Sequence, residues 1–258
     1  MSSSATAITR YEKSVFTATL KNGQTVSHDV YARGQGSVIV VIQELPGIGP
    51  ETLRLVDHIT ASGFRVLLPH LFGPLGRTDT LGNTARVFCM RKEFHLFQEN
   101  RSSPIVDWLK ALCLDAKTSG ASIGVGVIGM CLTGNFAMSL MADDSVLAAV
   151  ASQPSLPFGR AGALHMSEDE IDTLKKRIDA TAPMKAYRFE GDWMCSSEKF
   201  KTIDQLINND ASRVELNTLP GKGHAVLTKD FVDQAGHPTR QALDEILSYF
   251  HLQLDSPA

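Results

Sequence analysis

Six short apolar segments recur along the chain, and stretches with helical spacing separate them. Each segment is nearly continuous in apolar residues, which is typical of strands buried on both faces of a parallel sheet. The predicted strands are SVIVVIQE (37–44), FRVLLP (64–69), GVGVIG (124–129), VLAAVAS (146–152), MKAYRFE (184–190) and RVELNTL (213–219). Helices are predicted at 51–63, 103–115, 133–142, 167–178 and 230–251.

The first part of the chain has a different pattern. The segments at 14–20 and 25–31 flank Asn22-Gly23, a pair that tolerates the positive φ values of a tight hairpin turn. The sequence therefore predicts an α/β fold with a doubly wound, mostly parallel sheet, an antiparallel N-terminal hairpin and helices on both faces. We expect one domain over 1–258, with insertions at 71–100 and 153–180 that lie above the carboxyl ends of the strands and shape a pocket.

Composition narrows the classes of function. The 258 residues are 43% hydrophobic and carry a formal net charge of -3 without a basic cluster, which argues against nucleic-acid or membrane-surface binding and favours a small-molecule partner. The four cysteines form no CxxC pair, so free thiols in a reducing, cytoplasmic compartment are expected; they are Cys89, Cys113, Cys131 and Cys195. We expect neither a signal peptide nor a membrane span. The oligomeric state is left open.

A cysteine occupies the sharp corner in VGVIGMCLTGNFAM, residues 125–138. A strand that turns tightly into a helix exposes one side chain beside the helix N-terminus, whose dipole favours a thiolate. Gly129 and Gly134 supply small neighbours, although Thr133 stands where the usual pattern has a glycine. Cys131 is thus either a nucleophile or a small buried hydrophobe. Ser122 satisfies GxSxG in 120–124, but it precedes the strand and is rejected.

An acid and a histidine follow Cys131 in the order that a nucleophile-acid-histidine triad requires. Asp192 ends one late predicted strand, and His224 lies in a glycine-rich loop after the next. His224 would accept the thiol proton, and Asp192 would fix the tautomer of the ring. Glu190 is a competing acid, although strand alternation points it away from Asp192.

Glu44 ends the first predicted buried strand. A carboxylate at that position is costly to bury alone, so we expect it either to face the site or to meet a cation, the alternative being a solvated loop residue. No histidine spacing indicates a metal site.

Together, IQELPGIGP with Glu44, GMCLTG with Cys131, GDWMC with Asp192 and GKGH with His224 resemble the dienelactone hydrolase family of α/β-hydrolases over about residues 35 to 250. The resemblance implies a Cys-His-Asp triad, no metal and no cofactor. It also implies an oxyanion hole from the backbone N–H groups of Leu132 and Leu45, with Glu44 holding or helping to activate the thiol.

The implied reaction is hydrolysis of an enol-lactone to an open-chain dicarboxylate through an acyl-thioester enzyme. The family's substrate-carboxylate arginine after the histidine falls on Thr228; for a second arginine, Arg77, Arg86 and Arg91 are candidates, with Trp193 near the site. Hydrolysis of a small lactone or ester is therefore the leading hypothesis. The alternatives are a carboxylesterase with an apolar pocket near Phe94, Phe158 and Trp193, and a non-catalytic binder or thiol sensor.

Overall fold

The computed structural model describes residues 5–76, 103–120, 123–155, 162–164 and 166–255. Most of the first predicted insertion lies outside these ranges, as do 156–161 and position 165 of the second. Arg77, Arg86, Arg91, Phe94, Phe158, Ser122 and Cys89 also lie outside them.

An eight-stranded sheet forms the centre of the structure, with strand order β1-β2-β4-β3-β5-β6-β7-β8. The strands are β1 Glu12–Thr19, β2 Thr25–Arg33, β3 Val38–Ile42, β4 Arg65–His70, β5 Val125–Met130, β6 Val146–Ser152, β7 Met184–Phe189 and β8 Val214–Leu219. β1 pairs antiparallel with β2 and β2 with β4, while all other neighbours are parallel. The chain reverses between β1 and β2 around Gly23, which has φ 81°. The predicted fold class is confirmed.

Six α-helices lie in the described ranges, after a short 3-10 turn at Ile8–Arg10. They are α1 Pro50–Ala61, α2 Pro104–Ser119, α3 Leu132–Leu140, α4 Glu168–Asp179, α5 Ser197–Leu206 and α6 Pro238–Leu254. Two differ from the sequence expectation. α5 was not predicted, and α6 begins at Pro238 instead of near residue 230, because His237 caps the helix and Pro238 occupies its first turn.

Helices cover both faces of the sheet, and strand alternation divides the core between them. In β3, Val40 and Ile42 belong to the hydrophobic cluster under α2, α3, α4 and α5, whereas Ile39 and Val41 belong to the cluster under α1 and α6. This two-sided burial explains the continuous apolar runs. Because β3, β5, β6, β7 and β8 run parallel, their carboxyl ends lie at one edge of the sheet, where the loops that follow them begin. No helix in the described ranges is long and apolar enough to cross a membrane.

Candidate active site

Cys131 lies between β5 and α3, in a conformation that an L-residue rarely adopts. Its φ is 57° and its ψ is -122°. Such strain is kept only where the surrounding structure enforces it, and it is typical of the nucleophile position at a strand-to-helix corner. Two backbone hydrogen bonds hold the corner against β6, because the Cys131 N–H donates to Ser152 O at 3.0 Å and the Ser155 N–H donates to Cys131 O at 3.1 Å.

The neighbouring small residues are required by close packing. A Cβ at Gly129 would lie 2.0 Å from Thr133 O, and a Cβ at Gly134 would lie 2.9 Å from Pro154 Cα. Thr133, which replaces the usual glycine, is accommodated because its hydroxyl accepts from the Met130 N–H at 2.9 Å and lies 3.1 Å from its acceptor Ile42 O. The threonine therefore links β5 to β3 and does not disturb the corner.

Asp192 and His224 form a direct pair at the ends of neighbouring strands. The two side chains meet at 2.8 Å between His224 Nδ1 and Asp192 Oδ2. The other carboxylate oxygen, Oδ1, accepts from the N–H groups of Met194 at 2.9 Å and Cys195 at 3.1 Å. Burial raises the pKa of Asp192, but these hydrogen bonds outweigh it and the net pKa is lowered. Glu190, the competing acid, is exposed.

The electrostatics of His224 favour its protonated form. Burial lowers the pKa of the ring, but the Asp192 carboxylate and the Cys131 sulphur raise it, with a net value of about 10. Nε2 is buried and has no hydrogen-bond partner among the described residues. Because Nδ1 pairs with Asp192, Nε2 is the ring nitrogen left to exchange a proton, and the effect of Cys131 on the pKa of the ring indicates that the sulphur is near.

The loop that carries His224 is held by an aspartate that sequence reasoning missed. Asp230 Oδ2 accepts from the backbone N–H groups of His224 at 2.8 Å and Ala225 at 2.9 Å. Asp230 follows His224 by six residues within one loop. An aspartate so close to a glycine-rich turn often accepts hydrogen bonds from the turn backbone, and this sequence feature could have identified Asp230.

Glu44 is buried and turned towards the histidine loop. The Thr228 hydroxyl donates to one oxygen of Glu44, and Gln153 Nε2 donates to the other at 3.3 Å. Burial raises the pKa of Glu44, with smaller opposing effects from the Thr228 hydrogen bond and His224. No cation pairs with Glu44 among the described residues, and none of its hydrogen bonds there reaches Cys131.

Two residues after β6 were also missed. Gln153, at φ 37°, bonds to Glu44 and accepts from the Val226 N–H at 3.3 Å. Ser155 Oγ lies 3.2 Å from Cys131 Sγ. The signal was the polar run Ser152-Gln153-Pro154-Ser155 at the carboxyl end of a central buried strand, the same kind of position that drew attention to Glu44.

The remaining predicted site residues in the described ranges are Leu132, Leu45 and Trp193. Leu132 is the first residue of α3, where backbone N–H groups lack an intrahelical acceptor, and Leu45 follows Glu44 in the loop after β3. Trp193, beside Asp192, is 81% exposed. Over the described part of the chain, no group of three or more His, Cys, Asp or Glu side chains could hold a metal ion.

The chain is similar in sequence to one protein family. The model of the dienelactone hydrolase family matches residues 26–252. No match is found among curated proteins.

Solved structures with a similar fold are distant in sequence. A candidate dienelactone hydrolase from Klebsiella pneumoniae has a TM-score of 0.62 at 16% identity and covers 93% of this chain and 98% of its own. A cold-adapted esterase from an Arctic intertidal metagenomic library has a TM-score of 0.61 at 14% identity, covering 95% and 97%. A dienelactone hydrolase-like promiscuous phosphotriesterase from metagenomic libraries has a TM-score of 0.63 at 13% identity, covering 94% and 99%. At these identities the likeness establishes the fold.

Proposed function

The chain belongs to the dienelactone hydrolase family, and from this premise we propose that it hydrolyses a small lactone or ester through an acyl-thioester on Cys131. Membership confirms the prediction of a hydrolase acting on carboxylic esters. The observation that supports the thiol mechanism best is the strained Cys131 at the start of α3, next to a histidine whose Nδ1 is paired with Asp192 and whose Nε2 has no partner among the described residues.

In the proposed mechanism, His224 Nε2 holds the proton taken from the Cys131 thiol, which the raised pKa of the ring favours, and the thiolate attacks the substrate carbonyl carbon. The backbone N–H groups of Leu132 and Leu45 would stabilise the oxyanion. Collapse of the tetrahedral intermediate breaks the ester C–O bond, and His224 returns its proton to the leaving oxygen. His224 then takes a proton from water, the hydroxide attacks the thioester carbonyl, and the acid leaves with the Cys131 thiol restored. Asp192 compensates the imidazolium charge throughout.

Glu44 acts in this proposal through the histidine loop. Its contacts to Thr228 and to Gln153, which bonds the Val226 backbone, support a positioning role for His224. The resemblance instead assigns Glu44 to the thiol. The two roles differ in whether the carboxylate must be charged.

The environment of Thr228 bears on the substrate. Thr228 is buried and donates to Glu44, so the position that the family reserves for a carboxylate-binding arginine carries no positive charge. This favours neutral esters and lactones over carboxylated ones, because an anion would lack one charge-assisted partner worth about 1.5 to 3 kcal/mol. We propose Trp193 as a substrate contact, and Arg86 or Arg91 as the remaining partner for an anionic group. The free thiols of Cys113, Cys131 and Cys195 agree with the proposed cytoplasmic location.

The test uses a panel of neutral aryl esters, neutral lactones and carboxylated lactones. We expect turnover of the neutral members, an acyl adduct mapped to Cys131 by mass spectrometry of the quenched reaction, and loss of activity in Cys131→Ala. Cys113→Ala is the matched control, since Cys113 is a free thiol on the buried face of α2. Wild-type turnover by Cys131→Ala would eliminate the thiol mechanism, and faster turnover of carboxylated lactones would reverse the substrate preference.

A further inference from the structure

A serine hydroxyl contacts the sulphur of the proposed nucleophile. Ser155 Oγ lies 3.2 Å from Cys131 Sγ, which is within hydrogen-bond distance for sulphur. Ser155 is 2% exposed, and among the described residues this is the one hydrogen bond of its hydroxyl. The residue lies in the polar run after β6 and comes 24 positions after Cys131.

The backbone of Ser155 is fixed by buried side chains. Asn135, in α3, donates from Nδ2 to Ser155 O at 3.0 Å and to Leu132 O at 3.1 Å. The amide oxygen of Asn135 accepts from Lys199 Nζ at 2.7 Å, and Lys199 is completely buried in α5. The Ser155 N–H donates to Cys131 O at 3.1 Å. The hydroxyl is therefore held beside the sulphur by a rigid network, as a preorganised polar group must be.

We propose that Ser155 is a further catalytic residue, whose hydroxyl orients the Cys131 sulphur at rest and donates a hydrogen bond to the thiolate before attack. The inference rests on the proposed function only in taking Cys131 as the reacting group. When the sulphur proton has moved to His224 Nε2, the sulphur has no hydrogen left to donate, so the Ser155 O–H must be the donor. A hydrogen bond to the charged form stabilises that form.

Atoms and charges balance in the proton transfer from Cys131 to His224. The only bond that breaks in this step is the S–H bond of Cys131, and the only bond that forms is N–H on His224. Ser155 keeps its own proton throughout. Once the sulphur is acylated it carries no charge and accepts more weakly, so the hydroxyl favours the thiolate over the acyl-enzyme.

Several charged or titratable groups surround this contact and enter any pH dependence. From the strand ends, the loops and α5 packed around the corner they are Glu44, Asp192, Cys195, Lys199, His224 and Asp230. A substitution at position 155 leaves all of them in place. A change in the pH profile of sulphur reactivity therefore reports the loss of the hydroxyl.

The experiment measures the rate at which iodoacetamide alkylates Cys131 as a function of pH, with the Cys131 peptide quantified by mass spectrometry. The variants are Ser155→Ala and the equal-sized pair Ser155→Thr, which keeps a hydroxyl, and Ser155→Val, which lacks one. Ser145→Ala is the control, because Ser145 is buried at the opposite end of β6 and its hydroxyl bonds Asp143.

In Ser155→Ala and Ser155→Val we expect the midpoint of the alkylation profile to move up by about one pH unit, with about tenfold slower alkylation below it. Ser155→Thr should restore most of the rate relative to Ser155→Val, and Ser145→Ala should match the wild type. Profiles of Ser155→Ala and Ser155→Val that coincide with the wild type would overturn the proposal. If Ser155→Ala fails to fold, the comparison of Ser155→Thr with Ser155→Val decides. If neither of these folds, added methanol should restore wild-type alkylation to Ser155→Gly. Failure of methanol to do so would count against the proposal.

Alkylation requires no substrate, so this result is independent of ester turnover. A wild-type protein that hydrolyses no ester but shows the Ser155-dependent profile would contradict the proposed function and leave the role of Ser155 standing.

Discussion

Asp192 and Glu44 are two buried carboxylic acids at the same edge of the sheet, and their pKa values are shifted in opposite directions. Asp192 follows β7 and has a histidine and two backbone N–H groups as partners, which lower its pKa despite burial. Glu44 follows β3 and has only a hydroxyl and an amide, so burial dominates and raises its pKa. The number and charge of hydrogen-bond donors, and not burial alone, decide the direction in which each pKa is shifted.

Asp192 and Glu44 therefore have different proposed roles. An ionised acid can compensate an imidazolium, as the proposed mechanism requires of Asp192. Glu44, whose pKa is raised, is proposed instead to fix a loop through the hydrogen bonds that it accepts from Thr228 and Gln153. Isosteric amide substitutions separate these roles because they remove the charge and keep the shape.

Asp192→Asn is expected to have the largest effect. The amide oxygen would keep the two backbone N–H donors of Met194 and Cys195, so the amide NH2 would face His224 Nδ1. The ring would then carry its proton on Nε2 and could not accept one from the thiol. By analogy with other triads, kcat should fall about a thousandfold to ten-thousandfold, measured on the best ester of the panel with folding checked by circular dichroism.

Glu190→Gln provides the control for this prediction. Glu190 is an exposed acid two residues before Asp192, and it should be replaceable without loss of kcat. A greater loss in Glu190→Gln than in Asp192→Asn would mean that the acid of the triad has been wrongly assigned.

Lys199 shows the same effect of hydrogen-bond partners on a buried base. Its partners are the neutral Asn135 side chain and the Ala163 carbonyl. Burial lowers its pKa from 10.5 to about 8. Between these values the unfolded chain holds the proton and the native protein does not, so native stability rises with pH across this window. Relative to Lys199→Met, the wild type should gain about 3 kcal/mol from pH 8 to pH 10.5.

Urea unfolding of both proteins across this pH range measures the difference, in which the titration of all other groups cancels. Lys201→Met is the matched control, since Lys201 lies in the same helix and is exposed. A constant difference between the wild type and Lys199→Met would show that Lys199 remains charged in the native protein.

The core and the placement of Cys131, Asp192 and His224 at one edge of the sheet could be predicted from sequence because both depend on chain order and periodicity. Continuous apolar runs identify strands buried on both faces, and the end of each run marks the edge where Cys131, Asp192 and His224 lie. The start of α6 was predicted wrongly near residue 230, although Pro238 lies inside the predicted helix and proline is favoured only in a first turn. α5 was missed because few of its residues are buried and its apolar stripe is narrow.

The contacts around these three residues were not predictable in the same way. The pairs Ser155 with Cys131 and Thr228 with Glu44 join loops that are 24 and 184 residues apart, and neither follows a periodic pattern. The sequence showed that Glu44 needed a partner, but the choice between a cation, the thiol and a hydroxyl depends on how separate loops meet. Only the three-dimensional structure supplies that information.

Glu44→Gln is expected to have the smallest effect and is the most direct test of the comparison. The amide oxygen of Gln can accept from Gln153 Nε2, while its NH2 group faces the Thr228 hydroxyl, which turns from donor to acceptor, so both contacts can form without the carboxylate. We expect kcat to change less than about tenfold, well below the effect of Asp192→Asn. A loss above about a hundredfold in a folded variant would show that a charged Glu44 acts on the thiol, as the family resemblance assigns.

Stability provides a second measurement on the same variant. Because the folded pKa of Glu44 is raised above 4.5, its contribution to stability is fully present below that pH and is lost as the pH rises through the folded value. Glu44→Gln has no such titration, so the variant should match the wild type in urea unfolding near pH 4.5 and become the more stable of the two as the pH rises. The opposite trend would mean that the fold stabilises an ionised Glu44, and the contrast with Asp192 would then fail.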